Sequence, residues 1–230
     1  MSKTIIVVGY GPGISTGVAE KFGAEGFNVA LVGRTRAKLD AGVAALKAKG
    51  ASAAAFVADA SDPAAIASVV AEVRKTFGAI TAFQWNAYGG GQGGDLTTSS
   101  PAEIRGVFDV AITGLLAMVQ ATHADLKANK GAILVTNGAF GELDAGVNQF
   151  AVSSNNMGLA LSNAAKHKLV GLLAAKLGGD GIYVGEVMIA GVIKGTGWAT
   201  DNPNAIEPTR VGEAFYRLFE QRSDNYVRLT

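Results

Sequence analysis

The feature that most constrains the fold of this chain is the alternation of short β-rich runs with helical patterns along all 230 residues. The runs are Thr4 to Val8, Asn28 to Val32, Ala54 to Val57, Ile80 to Trp85, Ala132 to Thr136 and Ile182 to Met188. Near-continuous apolar runs of this length read as strands buried on both faces, and the intervals hold crossover helices. The pattern predicts an α/β architecture, a three-layer doubly wound parallel sheet in a single domain over 1–230. Asp62-Pro63 opens a helix with Ile66, Val69, Val70, Val73 and Phe77 on one face, and Ser100-Pro101-Ala102-Glu103 is a capping box whose helix continues towards Asn129. Pro208 starts a last helix striped by Val211, Phe215, Leu218 and Phe219, and Asn225 to Leu229 forms a final edge strand.

Composition removes several functions. Hydrophobic residues make up 49% and charged residues 17%, a balance that packs a core and does not leave a disordered chain. Twenty Lys and Arg against nineteen Asp and Glu, with no run of one sign, provide no stripe for nucleic acid. The absence of cysteine excludes disulfides, thiolate metal sites and a Cys nucleophile. No signal-peptide core follows Met1 and no stretch spans a bilayer, so a cytoplasmic protein without a membrane partner is expected. His123 and His167 are too few to hold a metal and are assigned to solvated helix faces, so no metal site is expected. Lys166 and Lys168 read as surface charges or helix-dipole partners, with a Ser162/Lys166 pair as an alternative.

Two sites point to a dinucleotide. Gly9-Tyr10-Gly11-Pro12-Gly13-Ile14-Ser15 directly follows the first strand and opens a helix, where glycines let the backbone approach a pyrophosphate met by amide N–H groups. The second strand ends in Gly33-Arg34-Thr35-Arg36, with no acid to hold a ribose 2′-hydroxyl and an arginine fork suited to a 2′-phosphate. NADP(H) is therefore favoured over NAD(H); the alternative is that Arg34 and Arg36 are solvated residues ahead of a helix. Loops at about 87–100 and 195–207 follow the fourth and sixth strands, where open sheets bind ligands. The glycine run Gly89 to Gly94 reads equally as a flexible connector, and the second loop, which carries Trp198, as a substrate lid.

On these residues the chain resembles the short-chain dehydrogenase/reductase family over essentially its whole length, with its Rossmann fold. Gly9 and Gly13 resemble the first two glycines of that family's TGxxxGxG loop, with Ser15 at the third. Asp59 resembles the adenine-contacting Asp, Asn86-Ala87 the NNAG segment, and Ile189 to Lys194 the segment passing the nicotinamide, with Ala190 in place of Pro. The resemblance implies cofactor contacts from Gly9, Gly11, Gly13, Ile14, Ser15, Arg34, Thr35, Asp59, Ala60, Asn86, Ala87, Gly191 and Ile193.

The same resemblance implies an Asn, Ser, Tyr, Lys tetrad, and the matching positions carry other residues. Ala111 stands at the Asn and Gly138 at the Ser, with Asn137 beside it pointing elsewhere if the strand register holds. None of Tyr10, Tyr88, Tyr183, Tyr216 and Tyr226 has Lys four residues later. One alignment puts Leu159 and Asn163 at Tyr and Lys; another, on a local similarity of Asn155 to Ala160 to enoyl-ACP reductases, puts Ser154 and Leu161 there. Tyr88 and Ser154 are the candidate catalytic groups, and Tyr88 reads alternatively as an aromatic wall. Two functions stay open: an atypical oxidoreductase passing hydride to a carbonyl or conjugated alkene, and an inactive dinucleotide-binding sensor or scaffold. Either takes a small-molecule substrate or effector. The family resemblance also implies a homodimer or homotetramer, hinted at by Leu115, Leu116, Met118 and Val119, which fit an intradomain core equally well.

Overall fold

Seven strands form in the computed structural model, which describes residues 3–89, 93–199 and 202–230, apart from the Trp198 side chain. They are β1 (Thr4–Val8), β2 (Asn28–Gly33), β3 (Ala53–Val57), β4 (Ala82–Trp85), β5 (Ala132–Gly138), β6 (Tyr183–Ile189) and β7 (Tyr226–Leu229). All pair parallel, in the order β3-β2-β1-β4-β5-β6-β7. The winding reverses between β1 and β4, which opens a crevice at the strands' carboxyl ends.

Strand periodicity divides the interior in two. Ile5 and Val7 face a core with Val18, Phe22, Phe215 and Phe219, from α1 (Ile14–Ala24) and the C-terminal helix. That core also takes in Leu39 and Leu46 from α2 (Arg36–Ala48). Ile6 and Val8 face the opposite core, built on α3 (Pro63–Phe77) with Ile66, Val69, Val70 and Val73. The helices behave locally as their sequences dictate. Asp62 Oδ1 accepts from the Ala64 and Ala65 amides ahead of α3, and Ser100 and Glu103 close a capping box on α4 (Pro101–Phe108).

The helix expected to run unbroken towards Asn129 is interrupted. A π turn (Asp109–Thr113) joins α4 to α5 (Gly114–Asn129), and such turns concentrate near functional sites. On α5, Leu115, Met118 and Val119 are buried in the second core and Leu116 is half-buried, so three of the four pack inward within the domain. A helix not foreseen from sequence, α6 (Ala145–Ser153), precedes α7 (Met157–Leu177), and α8 (Pro208–Gln221) closes the chain before β7. Among the described residues no helix is long and apolar enough to cross a membrane.

Candidate active site

The crevice is a cleft of about 1350 Å³, lined by the segments that follow β1 to β6. It exceeds the roughly 300–1,000 Å³ of a pocket for one drug-sized ligand. At one end runs the glycine loop. Gly9 has φ +80°, and a Cβ there would lie 2.6 Å from the Ala87 amide nitrogen, so only glycine lets this turn pass the end of β4. Buried Ser15 fastens the loop: its Oγ accepts from the Gly11 amide at 3.0 Å and reaches the Gly9 and Gly11 carbonyls at 3.2 and 3.1 Å. Asn86 Nδ2 donates to the Gly9 carbonyl at 3.3 Å. Gly9, Gly11 and Ile14 line the cleft, whereas Gly13 and Ser15 lie behind its wall and shape the turn.

Beyond β2 and β3 the cleft is polar. Arg34, Thr35, Asp59 and Ala60 line it, as does Lys38, which the sequence reading missed. Lys38 sits in the first turn of α2, just past the β2–α2 connection that carries Arg34, and that nearness was the available signal. Arg36 is bound to Asp40 at 2.9 Å, but among the described residues Arg34 makes no hydrogen bond or ion pair. Asp59 Oδ1 accepts from the Ser61 amide and hydroxyl, bonds that hold its carboxyl below the usual range, with a smaller contribution from Arg34.

The far end is different in character. Ala87, Tyr88, Val110, Phe140, Val147 and Leu159 give it apolar walls, and the Phe140 and Phe150 rings stack at 5.5 Å. Gly191 and Ile193 line the β6 side. Tyr88 is 55% exposed. Ser154 lines the cleft, but its hydroxyl donates to the Phe150 carbonyl at 2.6 Å, which engages its proton. A Cβ at Gly138 would lie 2.7 Å from Asn163 Nδ2, so Asn163 packs into the space beside it. Leu159, Asn163 and Lys166 fall at i, i+4 and i+7 on the cleft-lining face of α7, while Leu161 is exposed.

Lys166 is not a surface charge. It is 4% exposed, lines the cleft, and among the described residues its ammonium has no hydrogen-bond or ion-pair partner. Burial pushes it down from 10.5 to about 8, an effect the charge of Glu186 opposes. Ser162 does not pair with it, since the Ser162 hydroxyl donates to the Leu159 carbonyl. Glu186, fully buried on β6, accepts from Asn137 Nδ2 at 2.7 Å and meets His167 Nδ1 at 2.8 Å. His167 is therefore anchored to an interior carboxylate and is not simply solvated. His123 bonds Asp180 at 3.1 Å, and Lys168 is exposed as expected. Asn137 also donates to the Asn163 carbonyl, and its Oδ1 accepts from the Gly138 amide.

The loops are partly fixed. The Gly93 and Gly94 carbonyls accept from the Gly158 and Met157 amides at the start of α7, while Gly90, Gly91 and Gln92 lie outside the described residues. An Ile193–Ile206 bridge and a 2.6 Å Lys194–Glu207 ion pair clamp the base of the second loop. The Trp198 side chain, Thr200 and Asp201 lie outside the described residues. Among the described residues no three His, Asp or Glu side chains group to hold a metal.

A parallel sheet with a glycine turn at its switch point defines a Rossmann fold. The sequence model of the short chain dehydrogenase family matches residues 3–204, and the chain belongs to that family. A 2,5-dichloro-2,5-cyclohexadiene-1,4-diol dehydrogenase of Sphingobium indicum is 31% identical over 219 residues, covering 90% of this chain and 79% of that protein. Two solved structures share the fold at 24% identity. One is a metagenomic short-chain oxidoreductase in complex with NADP, with a TM-score of 0.82, covering 99% of this chain and 97% of that one. The other is a short-chain dehydrogenase from Sphingobium yanoikuyae in complex with NADPH, with a TM-score of 0.80 and coverages of 98% and 87%.

Proposed function

We propose that the chain is an NADP(H)-dependent oxidoreductase with an atypical active site, acting on a carbonyl or conjugated alkene carried on an apolar, ring-sized substrate. The observation that carries this reading is that the cleft does not end at Gly138. Its lining continues to the apolar side chains of Phe140, Val147, Phe150 and Leu159, and among the described residues Lys166 is the buried ionisable group of that lining. Side chains that filled this space would leave only a dinucleotide shelf. A ring-sized substrate also accords with the dienediol for which the Sphingobium indicum relative is named.

The residues present fit the cofactor. The Gly9 turn leaves space that a Cβ would close, and among the described residues Arg34 makes no hydrogen bond or ion pair, its charge registering at Asp59. The N–H groups of the glycine loop and the start of α1 would hold the pyrophosphate. Arg34 and Lys38 would hold the 2′-phosphate, and a neutral ribose hydroxyl would leave both cations uncompensated. When bound, the reduced nicotinamide supplies a hydride. The stacked Phe140 and Phe150 rings would offer an apolar face to the substrate, and Tyr88 forms an outer wall.

Incubation with deuterium-labelled NADPH and a panel of cyclic ketones and enones tests the proposal. Deuterium on the former carbonyl or alkene carbon is the expected result. NADPH binding without transfer to any member overturns the activity and leaves a dinucleotide-dependent sensor or scaffold.

A further inference from the structure

Asn163 and Gly138 are short, and Ser154 has its proton engaged, so a substrate oxygen in the cleft needs a proton from elsewhere. Lys166 lies three residues past Asn163. Its Cα–Cβ bond tilts towards the helix N-terminus, and its four-carbon stem is long enough to run back along a turn of about 5.4 Å. The space that a residue longer than Asn163 would occupy is then open to its ammonium. Buried lysines are costly unless something else retains them; this one lines the cleft, and among the described residues its ammonium has no hydrogen-bond or ion-pair partner, only the more distant charge of Glu186.

We infer that Lys166 is the proton donor of this active site, with Glu186, itself held by Asn137 and His167, as the positioning residue that keeps it charged. This rests on the oxidoreductase reading. In reduction of a ketone, hydride from the dihydronicotinamide forms the new C–H bond, the carbonyl π pair moves to oxygen, and an Nζ–H bond breaks as the O–H bond forms. Lys166 is left as a neutral amine and the cofactor as the oxidised pyridinium, and Lys166 regains its proton from water. In the oxidative direction the neutral amine takes the alcohol proton. Burial favours both forms near neutrality by pushing Lys166 down to about 8. The elements packed on α7 carry Glu186 on β6, Asp109 in the π turn, Glu103 and Arg105 on α4, Glu142 and Asp144 ahead of α6, and Asp180 in the turn after α7, which is taken up by His123 and Lys127. Of these, Glu186 is the one whose charge registers at Lys166, and on β7 Arg228 is taken up by Glu142.

The test combines a titration that needs no turnover with a variant that does. Trace acetylation with acetic anhydride over a pH series, read peptide by peptide in the mass spectrometer, gives the midpoint of Lys166. A midpoint near 8 is expected in the wild type, moving lower in Glu186→Gln, which removes the opposing charge. Lys166→Met keeps a four-atom stem and removes the ammonium. It should bind NADPH with unchanged affinity by calorimetry, lose roughly 10²-fold or more in kcat for reduction, and lose the fall in rate that the wild type shows as pH rises through about 8. A midpoint at the ordinary 10.5, or full turnover in Lys166→Met, overturns the proton-donor role alone. Wild-type protein that binds NADPH and reduces nothing in the panel overturns the oxidoreductase reading together with it.

Discussion

At the scale of single residues, the polar end of the cleft rests on Arg34 and its neighbour Lys38. A 2′-phosphate held by a charge-assisted bond gains about 1.5–3 kcal/mol, so Arg34→Ala should weaken NADPH binding by roughly 10- to 100-fold. NADH binding should change little, and titrating the variant with both cofactors checks it. Tyr88→Phe should leave kcat within about twofold, because an outer wall loses only a hydroxyl; a large loss in steady-state assay would move the proton role to Tyr88. Arg34 and Asp59 were legible in the sequence because each sits a fixed step past a strand end. Lys166 was not, since its neighbours His167 and Lys168 are exposed and the burial of one lysine among three polar residues is a tertiary property. The i, i+4, i+7 face shared with Leu159 and Asn163 held the clue.

At the scale of elements, the glycine loop depends on α1 sitting close against α8. A Cβ at Gly17 would collide with the Pro208 carbonyl oxygen, so Gly17→Ala forces the two helices apart. Overpacking of this kind costs about 1–3 kcal/mol, to be read as a lower urea midpoint. It should also weaken NADPH binding, because Ser15 and Thr16 at the start of α1 hold the Gly11 carbonyl. Strands β1 to β6 were legible to within about two residues, since fully buried parallel strands are continuous apolar runs. The α6 segment was not: Asp144 caps it through the Gly146 and Val147 amides, but glycine, β-branched residues and Asn give it weak intrinsic propensity. The π turn carries no local signature either; it arises where Gly114 packs against the Ala60 carbonyl, a contact between distant parts of the chain.

At the scale of the whole molecule, the parity of β1 separates α1, α2 and α8 from α3, α5 and α7 into two cores, and the cleft opens where the winding reverses. Burying Lys166 within this framework has a global consequence. With the folded group lowered to about 8 from 10.5, the unfolded chain binds more protons between those values, so stability rises with pH across that window. The gain is on the order of 3 kcal/mol at full development. Tyr183 and Tyr216, both pushed up to about 12, act with the opposite sign, and their contribution is lost as pH rises above 10. Denaturant titrations at pH 8 and 10 should therefore show the wild type gaining stability and Lys166→Met losing most of that slope.

The measurement that bears most directly on the central claim is calorimetric titration of the purified chain with NADPH and NADH at fixed salt. One NADPH per chain, bound at least about tenfold more tightly than NADH, is the result expected if Arg34 and Lys38, which line the cleft, hold the 2′-phosphate as proposed. Absence of heat with either cofactor would mean that the Rossmann fold persists here without its dinucleotide, and the assignment of the cleft as a redox site would fall.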